Sequence, residues 1–194
     1  MRLVPISHAK EFAAEALSWS LKLWGEGKDE FTSDDWHSFY SRTLNSDYEN
    51  WDFNGIDQEL LFMVLRNNKD RQEVVASIAL CDFDDFEEFR QYKPWIAAFV
   101  VREDLRGTGI GSKVLKLIEQ KAIEFGIKRI YLWTEESRNY YAKRGYQYIK
   151  SLRKGARQID LMDKVLVEVL SKCCDASKCL TYNQHMNLVG TFVS

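Results

Sequence analysis

Apolar residues recur along this chain with two different periods. From Glu11 to Trp24 the segment EFAAEALSWSLKLW places Phe12, Ala16, Trp19 and Leu23 near helical spacing, and Gly25 and Gly27 follow as stops. The segment TSDDWHSFYSRTL sets Trp36, Phe39, Tyr40 and Leu44 on one side of a second helix. Either Thr32 or Ser33 can serve as its N-cap, with acidic residues in the first turn. Residues 45–58 are rich in asparagine and aspartate and read as a loop. The first third is therefore predicted to be helical.

The pattern then changes. ELLFMVLRN and EVVASIALCDF, joined by NNKD, predict an antiparallel hairpin. The acidic loop DFDDFEEFRQYK leads to the strand PWIAAFVV. A glycine-rich turn opens a helix from about Ile110 to Phe125, closed by Gly126. IKRIYLWT predicts a further strand, ESRNYYAKRG a short helix ended by Gly145, and YQYIKSLRKGARQIDLMDKVL a closing pair of strands. Strand, turn, helix and strand in this order predict one parallel pair inside an α+β or mixed α/β domain. Residues 1–167 are expected to form one domain, with 168–194 as an extension of unassigned structure.

Composition changes this picture little. Of 194 residues 45% are hydrophobic and 29% charged, ordinary for a globular protein. The longest wholly apolar run, Trp95 to Val101, falls far short of the ~20 residues that span a bilayer, and Glu11 and Glu15 interrupt any signal-like segment. No membrane association is expected. Four unevenly placed cysteines form no disulfide framework, which suits a reducing cytoplasm. Cys173, Cys174, Cys179 and His185 match no closed zinc site, and no metal is expected.

Charge adds more. Residues 1–101 carry 10 Lys and Arg against 19 Asp and Glu, whereas residues 102–194 carry 17 against 10. A scatter of solvated charges is one reading. The other is a bipolar cleft, with an anionic ligand on the second half and a cationic one drawn to the first. DFDDFEEF has its phenylalanines at 83, 86 and 89, a spacing that tucks one apolar edge under a charged rim. As a mouth it would attract a polyamine, an aminoglycoside or a basic peptide terminus, and it argues against nucleic acid as a partner.

The changeover falls at RGTGIGS, Arg106 to Ser112. Amides at a helix start are unpaired and that end is electropositive, so side-chain-free backbone lets an anion such as phosphate approach. Arg106 and Lys113 could add charge. The spacing is neither a P-loop nor a dinucleotide fingerprint. A tight turn without a ligand, or an unrelated phosphate-binding domain, stays open on spacing alone.

R-G-T-G-I-G resembles the R/Q-x-x-G-x-G/A signature of the GNAT superfamily of acyl-CoA-dependent N-acetyltransferases. PWIAAFVV looks like that family's fourth strand, IKRIYLWT like its fifth, YYAKRGYQYI like its YxxxG(F/Y/W) segment and IDLMDKVL like its closing strand. The resemblance runs over residues 94–166, is looser before them and is absent from the tail. It implies a mixed sheet of six to seven strands, splayed between strands 4 and 5 and flanked by helices. It also implies acetyl-CoA as acyl donor, its pyrophosphate on Arg106, Gly107, Thr108, Gly109, Ile110, Gly111 and Ser112. The pantetheine arm would pair with the backbone of Phe99, Val100 and Val101, and an N–H near Val100 or Val101 would polarise the thioester carbonyl.

Further roles follow from the same resemblance. Tyr141 matches the family's tyrosine, the acid for the leaving thiolate, while Tyr140 should face elsewhere. Thr134 stands where many relatives carry asparagine and retains a hydroxyl, and Ala76 stands where many have glycine. For the base that frees the acceptor amine, Glu135, Asp84 and Asp85 all stay open, acting directly or through a water. The implied activity is acetyl transfer to a small cationic amine or a peptide amine. A non-catalytic acyl-CoA-binding module on the same fold remains the alternative, and the oligomeric state, homodimer included, stays open.

Overall fold

A computed structural model describes residues 1–25, 31–50, 59–69 and 71–167. The tail with its three cysteines and His185, Gly27, Asp70 and the later part of the predicted 45–58 loop lie outside the described residues. Seven strands form one sheet: β1 (Arg2–Pro5), β2 (Glu59–Asn68), β3 (Arg71–Cys81), β4 (Trp95–Val101), β5 (Arg129–Thr134), β6 (Gln147–Lys154) and β7 (Arg157–Val165), in the order β1-β2-β3-β4-β5-β7-β6. Helices α1 (Ala13–Trp24) and α2 (Ser33–Leu44) precede β2, α3 (Ile110–Glu124) joins β4 to β5, and α4 (Arg138–Ala142) joins β5 to β6. No helix among the described residues is long and apolar enough to cross a membrane.

All neighbouring strands are antiparallel except β4 and β5, which are parallel as the helical crossover demands. The hairpin β2–β3 and the closing pair β6–β7 lie where the alternation predicted them. The helical reading of the first third is corrected in two places. Arg2–Pro5 is an edge strand on β2, and residues 6–12 form two short 3-10 turns, so α1 begins at Ala13 rather than Glu11. Four residues show too few alternations to reveal a strand; β1 exists because β2 offers it a free edge.

The centre of the sheet is buried on both faces. On one, Ala13 and Ala16 of α1 and Trp36, Phe39 and Tyr40 of α2 pack with Leu61, Met63, Ala79 and Trp95. On the other, Val114, Leu115, Ile118 and Ala122 of α3 pack with Phe62, Val75, Ile78 and Leu80. Consecutive residues Leu60 to Leu65 are thus all buried, which is why β2 reads as a continuous apolar run rather than an alternation.

Two of the helix ends have a clear local chemical cause. At α2 the cap is Thr32: its Oγ1 accepts the Asp35 N–H at 3.2 Å, while the Asp35 carboxylate accepts the Thr32 N–H at 2.7 Å. The Thr32 hydroxyl, donating to the same carboxylate at 2.6 Å, and then the Thr32 N–H hold the Asp35 carboxyl below its ordinary pKa of 3.8. Helix α3 stops at Gly126 as the sequence predicts, where Ile127 N–H reaches Ala122 O at 2.9 Å and Gly126 N–H reaches Ile123 O at 2.8 Å.

Thr32→Ala should cost about 1 kcal/mol in urea denaturation at neutral pH. The Asp35 share of the box is complete above the ordinary aspartate value and is lost as the pH falls through the lower folded one, so the gap between wild type and variant should narrow towards pH 3.

Candidate functional site

The site begins with a defect in a strand. β4 meets β5 in a single register pair, Trp95 with Tyr131, supported by Tyr131 N–H to Pro94 O at 2.9 Å. Beyond it, β4 carries a bulge: Ser77 faces Val100 and Ala79 faces Ala97, so two β4 residues oppose one on β3. Ala98 there has φ +47°, a left-handed conformation costing a residue with a Cβ on the order of 1 kcal/mol. Past the bulge, Val100 and Val101 still pair with β3, but their other side has no β5 partner.

Alternation sorts the candidate amides. Arg102 N–H crosses to Val75 O on β3 at 3.0 Å. Polar groups two residues earlier, on Val100, point the same way, so those of Phe99 and Val101 face the gap. Val101, not Val100, has the amide free to meet a ligand there. The Val101 carbonyl accepts Arg106 Nε at 3.0 Å, so this arginine folds back onto the end of β4.

Residues 106–109 then turn into α3. Gly107 and Gly109 have φ of +75° and +84°, and a Cβ built on either would meet nothing within 4 Å. Their requirement is conformational, and the space above them is open. Gly109 is the N-cap, and no side chain caps α3, in contrast to the full box at α2. Thr108 Oγ1 donates instead to Leu105 O at 2.6 Å. The first amides of α3, from Ile110, Gly111 and Ser112, are therefore left to whatever enters this open corner. Gly111 serves differently: its Cβ would lie 2.6 Å from the Tyr140 hydroxyl.

Helix α4 hangs beside this turn. Thr134 Oγ1, at the buried end of β5, accepts the Ser137 N–H at 3.0 Å and so bends the chain into α4. At its other end Tyr146 N–H reaches Tyr141 O at 3.2 Å and Gly145 N–H reaches Ala142 O at 3.0 Å, with Gly145 at φ +88°. In this closure the residues five apart also touch, and the Tyr141 and Tyr146 rings meet edge to face at 5.7 Å. The spacing Y-x-x-x-G-Y is thus a helix stop that fixes Tyr141. Burial first, then the neighbouring Tyr140, pushes the Tyr141 phenol well above its ordinary range, with Arg144 opposing. Its hydroxyl takes no hydrogen bond among the described residues. Tyr140 does face a different way, into the first turn of α3.

A parted parallel pair, an uncapped helix behind left-handed glycines and a tyrosine helix beside them stand together, and the model of the acetyltransferase (GNAT) family matches residues 28–147. The chain belongs to the GNAT acetyltransferase family. Solved structures share the fold. An aminoglycoside 6'-N-acetyltransferase complexed with coenzyme A is 14% identical, with TM-score 0.60 over 86% of this chain and 98% of its own. The aminoglycoside 6'-N-acetyltransferase from Enterococcus faecium is 16% identical with TM-score 0.58 over the same shares. A GNAT acetyltransferase from Staphylococcus aureus is 19% identical, TM-score 0.55, over 86% and 99%.

Among the other residues singled out in this GNAT chain, Glu135 is held by Arg157, whose guanidinium approaches it at 2.7 Å. Asp84 lies in the β3–β4 loop, whose Phe86 and Phe89 pack on the α1–α2 face of the sheet, whereas Tyr141 packs on the α3 face. Burial, and then Asp85, raise the Asp84 pKa well above 3.8. The Trp133 indole N–H, on β5, favours the charged form of Asp84, yet it is buried without a well-formed hydrogen bond. Phe86 and Phe89 are inserted beneath the loop as the spacing predicted, while Phe83 lies under the Arg90 guanidinium at 4.2 Å. Part of the rim is already paired, Glu88 with Lys154 at 2.9 Å and Glu87 with Arg90 at 2.8 Å. Sequence reading missed Arg144, which contacts Ser112, and Ala98; the first sits inside a quoted motif, and nothing marks the second.

Gly109→Ala should destabilise the protein by about 1–2 kcal/mol although its methyl has room, and Gly109→Asn by less, because asparagine tolerates the left-handed region. Urea unfolding of the two variants checks this.

Proposed function

We propose that the protein transfers an acetyl group from acetyl-CoA to the primary amine of a small cationic acceptor, by direct attack within a ternary complex. The observation carrying this reading is a pair of backbone edges open to a ligand: the uncapped start of α3 and the gap-facing side of Phe99–Val101, where Arg106 takes the Val101 carbonyl but the amides have no β5 partner. The first suits a diphosphate, the second an extended amide-bearing arm that adds like a strand. With the diphosphate on residues 106–112, the thioester would fall near the Val101 N–H, a donor suited to the oxyanion that forms on attack. Holding both reactants in one gap supplies the orientation that makes a covalent enzyme intermediate unnecessary.

Two proton transfers complete the reaction. Tyr141 remains protonated far above neutral pH and can donate to a thiolate whose acid titrates near ~8.5. An amine of pKa ~10 arrives as ammonium and must lose a proton. Asp84 suits that role better than Glu135. Burial and Asp85 raise its affinity for a proton, and among the described residues no cation pairs with it as Arg157 pairs with Glu135. The acidic loop around it supports a cationic acceptor. Thr134 would act through its hydroxyl proton, since its oxygen already serves α4.

Thiol release from acetyl-CoA, measured against aminoglycosides, polyamines and peptide termini, should reveal at least one acceptor; CoA binding without turnover on any amine would favour a binding module. Gly109→Glu should weaken CoA by at least tenfold, because a carboxylate would enter the diphosphate seat, and unchanged affinity would displace the cofactor from this loop. Tyr141→Phe should lower kcat about 100-fold with CoA affinity within threefold of wild type; a wild-type kcat would remove Tyr141 as the acid.

A further inference from the structure

Arg144 stands one residue before the glycine that ends α4, and its guanidinium is committed to the glycine loop and to Tyr140. Nε donates to Ser112 Oγ at 3.0 Å and one terminal nitrogen donates to the same oxygen. The other terminal nitrogen donates to Tyr140 O. The guanidinium plane also lies 3.5 Å from the centroid of the Tyr140 ring. Tyr140 in turn closes against Gly111, where there is no room for a Cβ.

A serine hydroxyl has one proton and two lone pairs. Two N–H groups from Arg144 engage the oxygen, so the Ser112 proton is left for a third group, and no described residue accepts it. Ser112 occupies the first turn of α3, beside the free amides. Its hydroxyl therefore has a proton to give to an anion there, and a fixed positive charge immediately behind it. Neither charge expected from the sequence does this: Arg106 is turned onto Val101, and Lys113 is exposed.

We propose that Arg144 is a positioning residue for the diphosphate seat, presenting the Ser112 hydroxyl proton to the anion while clamping α4, and with it Tyr141, to the start of α3. The proposal rests on the acetyl-CoA reading above and deepens it. Lysine cannot replace arginine in this role, because one ammonium cannot donate to the serine oxygen and the helix carbonyl in one plane while that plane stacks on the ring.

The test uses the full chain, with CoA affinity by calorimetry and steady-state kinetics on the best amine, for Arg144→Met, Arg144→Lys, Ser112→Ala and the Arg144→Met/Ser112→Ala pair. Arg144→Met should weaken CoA about tenfold and also lower kcat about tenfold, since the seat and the acid helix are joined. Arg144→Lys should recover less than half of either loss. In the double variant CoA affinity should fall no further than in Arg144→Met alone, because the arginine acts on the anion through the serine. Affinity of Arg144→Met within twofold of wild type, or losses that multiply in the double variant, would overturn the proposal. If Arg144→Met does not fold, Arg144→Lys decides alone: CoA bound as tightly as by wild type overturns it. A wild type that binds no CoA sinks the acetyl-CoA reading and this inference together, whereas tight wild-type binding with indifferent variants sinks this inference only.

Discussion

Two parallel strands that share one backbone contact and then separate are the constraint on which this molecule depends. β4 and β5 meet at Trp95 and Tyr131, and past that pair β4 has a strand neighbour only in β3. Unpaired strand edges inside a folded protein are costly, because buried amides and carbonyls need partners. The bulge at Ala98 lies along the stretch of β4 that has no β5 partner. The rest of the fold surrounds the gap with elements rigid enough to keep it open: the β2–β3 hairpin on one flank, β7 and β6 on the other, and apolar packing on both faces of the sheet.

The two sides of the gap differ in chemistry. On the α3 face lie backbone amides, Arg144 and a tyrosine held protonated by burial. On the α1–α2 face lies a loop of carboxylates over Phe86 and Phe89, with Asp84 raised and Trp133 beside it. On the proposed reading, an anionic donor and a cationic acceptor approach from opposite faces and meet where the strands part. Ion pairs such as Glu88–Lys154 neutralise part of the rim.

Much of this was legible before any coordinates. Periodicity located the β2–β3 hairpin, α3 and the closing strands, and four motifs in order carried the family. The glycine loop was legible as a turn because left-handed backbone at Gly107 and Gly109 demands glycine. The Tyr141–Gly145–Tyr146 spacing was legible as a motif, but its cause, a helix stop whose flanking rings touch, required the structure. β1 escaped because four residues carry no period, and Ala98 because alanine gives no sign of a positive φ.

The sequence by itself determined which elements form, which loop lacks side chains and which family the pattern resembles, since these depend on contacts within a few residues. Only the tertiary structure decided between Val100 and Val101, bound Glu135 to Arg157, and brought Arg144 to Ser112 across 32 residues of chain. Each of those depends on strand alternation counted from a particular partner, or on two helices meeting at one corner. Such choices belong to how elements pack, and the local pattern that builds each element carries no record of them.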